Sequence, residues 1–277
     1  MSSELQIDTM RFYSQVDRVY NELRALGIEA GSRLDVETLF EFDQYHFFGT
    51  DAVEEAIRLA EIGPHQRVLD VGSGLGGPAR YLAHKLGCEV TAVELQEDVH
   101  RVAVDLTRRC GLEHKVHHVH ANFLEDDLDL GNFDSVVSWF VFLHISDRES
   151  LLRRCRESLR PGGALYVDDF HEIGTLSAEE RQALKVDVFC DWLPSIERFR
   201  QQCEQAEFDA VETFDVTLAA IKFAADRDRA WKETRERQVA VHGEAVVDGL
   251  GHFFGVVHRL FQGGHYGAVR VLARNPN

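Results

Sequence analysis

The sequence predicts a doubly wound α/β domain, a parallel sheet covered by helices on both faces. Three observations predict it. Short, continuous apolar strands alternate with helical stretches between residues 67 and 168, a glycine-rich turn joins the first of these strands to the helix after it, and an acidic residue closes the second strand.

The strands are read at 67–71, 89–93, 116–120, 133–139 and 164–168, with helices at 77–86, 96–110 and 147–159. The last helix is ended by Arg160-Pro161-Gly162-Gly163. Strands rich in β-branched residues, with ten or more helical residues between them, are the pattern of βαβ units. Upstream, Met10, Tyr13, Val16, Val19, Tyr20, Leu23 and Leu26 fall at helical spacing over 8–26, and Gly27 closes that helix. A less regular segment, FEFDQYHFFGT, leads to a helix at 51–62 that Thr50 is placed to cap, with Glu54 as a partial capping box. Beyond Phe170, helices are read at 177–190, 195–206, 219–237 and 246–261, with strands at 208–217 and 265–274.

A chain of 277 residues, 44% of them hydrophobic, can bury one sizeable core plus an accessory lobe. Its formal charge of −17 repels phosphate backbones, which argues against a nucleic-acid substrate. Cys88, Cys110, Cys155, Cys190 and Cys203 are scattered with no metal-ligand spacing, so no metal is expected and reduced thiols in the cytoplasm are. The polar, acid-bearing start is unlike a signal peptide, and no apolar run has the length of a membrane span. An oligomer is compatible with this pattern.

The most informative segment is VLDVGSGLGG, Val68 to Gly77, at a strand-to-helix turn. Glycines let the backbone approach a ligand, and the free N–H groups of a helix start face an anion. Glu94 stands at the tip of the next strand, where a carboxylate accepts both ribose hydroxyls of an adenosine cofactor. Gly72, Gly74 and Gly77 also satisfy the nicotinamide fingerprint GxGxxG, so an NAD-dependent oxidoreductase is the rival from a different class. Asp70 weighs against it, because a negative charge there repels a pyrophosphate but suits an ammonium.

Five pieces in order, VLDVGSGLGG, Glu94, ANFLE, FDSVVSWFVFLH and LRPGG, resemble the class I S-adenosylmethionine-dependent methyltransferases over residues 68–169. The resemblance implies a Rossmann-like, seven-stranded sheet with an antiparallel last strand, and S-adenosyl-L-methionine as cofactor. It implies that Asp70, Gly72, Ser73 and Gly74 hold the methionine end, with Glu94 on the ribose and Leu95 against adenine. Asn122 and Phe123 fall at the adenine edge. Many members carry Asp where Asn122 stands, and an amide carbonyl can still accept from the adenine amino group. Within the superfamily the sequence is most similar to small-amine N-methyltransferases, the sarcosine/dimethylglycine and phosphoethanolamine enzymes. These share the GSGLGG turn, FLE, FLHIS and an Asp at the tip of the fifth strand. In the phosphoethanolamine enzymes the histidine matching His144 pairs with an N-terminal tyrosine, for which Tyr13 or Tyr20 is the candidate.

The acceptor is a small molecule, and an amine nitrogen is the leading reading. His144 is placed as a general base or a positioning group, or else as a loop histidine satisfied by backbone. Asp169 is placed to attract a cationic amine, and Trp139 and Phe140 to border the methyl or a methylated ammonium. Asp43, Gln44, Tyr45 and His46 read as part of a lid, whereas Tyr13 and Tyr20 fit equally the apolar face of a helix. The organisation expected is a helical lid over 1–50 and a methyltransferase domain over 51–277, with acceptor-specificity helices within 170–264. The Phe-rich stretches keep open an O- or C-methyltransferase acting on a larger apolar metabolite.

Overall fold

The computed structural model describes residues 15–125 and 131–276. Tyr13 lies outside the described residues. Seven strands form one sheet: β1 (Arg67–Val71), β2 (Glu89–Glu94), β3 (Val116–His120), β4 (Phe133–Trp139), β5 (Leu159–Glu172), β6 (Asp209–Asp215) and β7 (Tyr266–Arg274). Their order is β3-β2-β1-β4-β5-β7-β6. The pairs among β1 to β5 are parallel, while β7 runs antiparallel to both its neighbours. Ten helices accompany the sheet among the described residues: α1 (Arg18–Ala25), α2 (Thr50–Ala60), α3 (Gly77–Leu86), α4 (Glu97–Arg109), α5 (Arg148–Glu157), α6 (Ala178–Asp187), α7 (Ile196–Gln205), α8 (Thr217–Glu233), α9 (Arg235–His242) and α10 (Glu244–Gln262). None is long and apolar enough to cross a membrane.

The alternating faces of the sheet feed separate cores. Val68, Val137 and Tyr166 pack with α2, α3 and α10, whereas Leu69, Val136 and Leu165 pack with Leu151 of α5 and Phe199 of α7. A third cluster joins Val19 and Leu23 of α1 to Val99, Val102 and Leu106 of α4. Burial of apolar area on both faces is what holds a parallel sheet. From β1 the chain winds outward through β2 and β3 in one direction and through β4 and β5 in the other. The crevice at the carboxyl ends of β1 and β4 is therefore the switch point where such sheets take ligands.

Three local expectations differ from the structure. RPGG does not merely end α5; it lies inside β5 as a bulge, where Phe133 pairs with Leu159 but Ser135 with Ala164. Asn275 clamps this bulge, accepting from Gly162 N–H, donating its own N–H to Gly163 O and donating its side-chain amide to Leu159 O and Arg160 O. Thr50 is the first residue of α2 rather than its cap; that position is Gly49, with φ 54 and ψ −139, and Glu54 instead accepts from Tyr81 and Lys85. The helix expected over 219–237 breaks at Thr234, whose hydroxyl donates to Ala230 O at 2.7 Å. In addition, Glu22 of α1 accepts from Arg237 at 2.5 and 2.8 Å and lies 2.9 Å from His242 Nε2, joining α1 to α9.

Candidate active site

The turn after β1 is shaped by its glycines. Gly72 has φ 72, and a Cβ there would lie 2.5 Å from both methyls of Val141, so only glycine fits. Gly72 and Ser73 both donate to Val93 O, and Gly74 N–H donates to Glu94 Oε2 at 2.9 Å. Glu94 Oε1 accepts from Gln96 N–H at 2.8 Å. This carboxylate thus fastens the β1 loop to β2, and each of its oxygens keeps a second lone pair for a ligand.

The loop opens onto a cavity. Its floor is Asp70, Gly72, Ser73 and Gly74; one wall is Trp139, Phe140, Leu143 and His144; and Asp43, Tyr45, His46 and Phe47 close it from the N-terminal side. Phe170, Val188, Arg227, Phe253 and Val257 also line it. Phe140 adopts φ 57, a costly conformation for a side chain of that size, and its N–H donates to Asp168 O at 2.7 Å. His46 stacks on Trp139 with ring centroids 5.6 Å apart. Asp43 anchors this cover through an ion pair to Arg80 of α3 at 2.8 Å, both groups fully buried.

Three buried polar atoms of this cavity have no hydrogen-bond partner among the described residues: Asp70 Oδ2, Ser73 Oγ and Trp139 Nε1. Burial, and then the charge of Glu94, push the Asp70 carboxyl up to about 8. A buried carboxyl with an unpartnered oxygen facing the cavity is suited to receive an ammonium, which would favour its ionised form.

His144 sits in the short turn Phe142–His144 after β4, and its Nδ1 lies 3.0 Å from Phe189 O. A carbonyl only accepts, so Nδ1 carries the hydrogen and the lone pair of the neutral ring is on Nε2. Burial lowers its pKa to about 4. The base of ordinary pKa expected from the sequence is thereby corrected. The ring is neutral throughout the physiological range and is a weak proton acceptor.

The structure brings Asp70, Gly72, Ser73, Gly74, Trp139 and His144 together, and it separates other candidates from them. Asp169 does not line this cavity: it is fully buried, and its Oδ2 accepts from Arg148 Nη2 at 3.2 Å while Oδ1 accepts from Phe170 N–H. Asp168 faces the opposite side of the strand in a bidentate pair with Arg270, at 2.9 and 3.1 Å. Neither is available to an amine, because each already has a buried counter-ion. Tyr20 is likewise corrected. It packs against α4, its hydroxyl donating to Asp105 at 3.1 Å, and burial with that acid raises its pKa to about 12. The tyrosine that lines the cavity is Tyr45. Tyr20→Phe is expected to cost about 1 kcal/mol of unfolding free energy and to leave turnover unchanged. Lost turnover at unchanged stability would return Tyr20 to the site.

Leu95 is 53% exposed beside Glu94, an uncovered apolar face. Asn122 Oδ1 accepts from Leu124 N–H at 3.0 Å, fixing the turn after β3. The ring of Phe123 is in the core beneath that turn, so only its backbone could meet a ligand. Arg227 is a charged lining residue that the motifs did not single out. Its signal was an arginine four residues from both Phe223 and Trp231 on one helix face.

The chain matches the family model described as a methyltransferase domain over residues 68–163. It is 31% identical over 198 residues to the sarcosine/dimethylglycine N-methyltransferase of Halorhodospira halochloris, covering 70% of this chain and 71% of that protein. It is 29% identical over 204 residues to a phosphoethanolamine N-methyltransferase of Triticum aestivum, covering 73% of this chain but only 39% of that longer protein. Among solved structures it is similar in fold to Haemonchus contortus phosphoethanolamine N-methyltransferase 2 in complex with phosphomonomethylethanolamine and S-adenosylhomocysteine. The TM-score is 0.77 at 20% identity, covering 96% of this chain and 60% of that one.

Proposed function

Because the chain belongs to the class I S-adenosylmethionine-dependent methyltransferases, we propose that it methylates the nitrogen of a small amine held beside His144. S-adenosylmethionine is the methyl donor, and when bound it supplies a sulfonium methyl already activated for displacement. The observation that carries the amine reading is the single cavity joining the Asp70 loop to a neutral histidine and an aromatic wall.

Asp70 receives the ammonium of the donor's methionine end, while Ser73 and the loop N–H groups receive its carboxylate. Glu94 takes the ribose hydroxyls, Leu95 covers the adenine, and Asn122 with the Phe123 backbone meets the adenine edge. An amine attacks only through its lone pair. The enclosed, largely apolar cavity disfavours the ammonium form, which lowers the acceptor's own pKa. His144 Nε2 accepts the remaining N–H and points the lone pair at the methyl, so its contribution is orientation. Trp139 and Phe140 flank the charge that grows on nitrogen as the bond forms. Of the expected lid over 1–50, residues 1–14 lie outside the described residues; the rest serves as the cover of the site, and 51–277 as the catalytic domain, in keeping with Asp43, Tyr45, His46 and Phe47 lining the cavity. Five unpaired thiols accord with a cytoplasmic enzyme, and the net charge of −17 with an acceptor that is not nucleic acid.

The test is release of S-adenosylhomocysteine with a panel of amines, phenols and unsaturated apolar compounds. Turnover of phenols or apolar compounds alone would refute the amine reading. With an amine substrate in hand, His144→Ala is expected to lower kcat about 10- to 100-fold. The ratio to wild type should stay constant from pH 6 to 10, because a ring titrating near 4 is neutral over that whole range. A deficit that vanishes at high pH would make His144 a base after all.

A further inference from the structure

Arg227 lies on α8, at the boundary between this cavity and an adjoining one; Tyr45 and His46 border both as well. Its guanidinium is 4.5 Å from the ring centroid of Phe47, 4.7 Å from that of Phe254 and 5.3 Å from that of Phe223. Aromatic faces attract a cation, but they do not replace the oxygen acceptors its N–H groups lose on leaving water. Among the described residues Arg227 forms no ion pair, and its buried Nε has no hydrogen-bond partner. Burial lowers its pKa only to about 10, so the charge is kept at neutral pH. Elsewhere this chain pairs its buried arginines: Arg80 with Asp43, Arg148 with Asp169, Arg270 with Asp168. Arg227 is half-buried, has no such partner among the described residues, and borders the site.

Resting on the N-methyltransferase reading, we propose that Arg227 seats an anionic oxygen group carried by the acceptor itself, a carboxylate or a phosphate, while the amine sits beside His144. The planar fork of a guanidinium matches either group with two parallel hydrogen bonds. The incoming anion supplies the counter-charge that the protein withholds, so an amine lacking it leaves this cation at the cavity neck unpaired. The acceptor is thus selected at both ends, by the cavity around its nitrogen and by the guanidinium at the neck.

The experiment compares sarcosine and dimethylglycine (carboxylate arm), phosphoethanolamine (phosphate arm) and ethanolamine (no anion) with wild type, Arg227→Gln and Arg227→Lys. Wild type should favour one anionic arm over ethanolamine by about 100-fold in kcat/KM, and the arm that wins identifies the group. Arg227→Gln should raise KM for that acceptor at least about tenfold, with kcat within about threefold, and leave ethanolamine unaffected; Lys should restore part of the loss. Equal use of ethanolamine by wild type, or an unchanged KM in Arg227→Gln, overturns the proposal. A second arm does not depend on the reaction: calorimetry of propionate and inorganic phosphate with the S-adenosylhomocysteine complex. Binding to wild type but not to Arg227→Gln upholds the anion seat even if no amine is methylated, in which case the N-methylation reading alone fails. No binding, or equal binding to both, overturns the seat. Should Arg227→Gln not fold, the preference of the wild type among the four acceptors decides.

Discussion

Asp169→Ala is expected to lower the unfolding free energy by about 3–5 kcal/mol, because it strands the buried guanidinium of Arg148. Arg148 is 3% exposed and hemmed in by Phe142, Trp192 and Phe199, so water cannot replace the lost carboxylate. Asp169→Asn should cost less, since it keeps one acceptor oxygen. Chemical denaturation of both variants checks this, together with the acceptor KM of whichever folds. The carboxyl titrates near 6, raised by burial against the opposing pull of Arg148. Its raised folded pKa means that the Asp169 contribution to stability is greatest in acid and declines as pH climbs from about 4 through 6. A variant of ordinary stability with a raised acceptor KM would restore Asp169 to the site.

Binding of the donor's ammonium should expel a proton from Asp70. In the free protein this carboxyl holds its proton up to about pH 8, whereas an ammonium beside it favours the ionised form. Affinity for S-adenosylhomocysteine should therefore rise toward tenfold per pH unit between about 6 and 8. Above that it levels off, and it falls at still higher pH as the ligand's own amino group loses its charge. Asp70→Ala should abolish the slope and weaken binding at pH 8 about tenfold or more, the cost of about 1.5–3 kcal/mol for a charge-assisted contact. Titration calorimetry in buffers of different ionisation enthalpy reads the expelled proton directly. A slope that survives in Asp70→Ala would assign the proton to another group. For the ligand-free protein, the unfolded chain ionises Asp70 near pH 4 and the folded one near 8, so stability from this residue is lost across that interval. Asp70→Asn should accordingly gain stability over wild type as pH rises from 4 to 8.

What the sequence disclosed was what local signals can carry. Continuous apolar runs placed β1 to β4, and the glycine spacing placed the loop that meets Asp70 and Glu94. The misread site candidates and the misread RPGG segment concern partners far away in the chain. Asp169 read as a site residue because Arg148 is invisible to it until α5 packs against β5, and Tyr20 because Asp105 stands 85 positions on. The RPGG segment read as a plain helix stop, since its clamp, Asn275, comes more than a hundred residues later. His144 read equally as a base, a positioning group or a loop histidine; it lines the cavity, and burial, which no motif records, lowers its pKa and weighs against the first.

All five cysteines are buried, two in each of the two sheet cores and one between α1 and α4. Burial raises every one of their pKa values, to about 11 for Cys88 and about 12 for Cys190 and Cys203. A thiol that is both enclosed and protonated is inert to alkylating reagents until its surroundings open. The molecule therefore carries its own set of chemical clocks. The labelling rate of Cys88 or Cys190 times the opening of the core beneath the site, that of Cys155 or Cys203 times the opposite face, and that of Cys110 times the helical cover. Mass spectrometry of pulse-labelled protein can thus rank these three regions by local stability, and show which of them donor binding tightens, without introducing a single substitution.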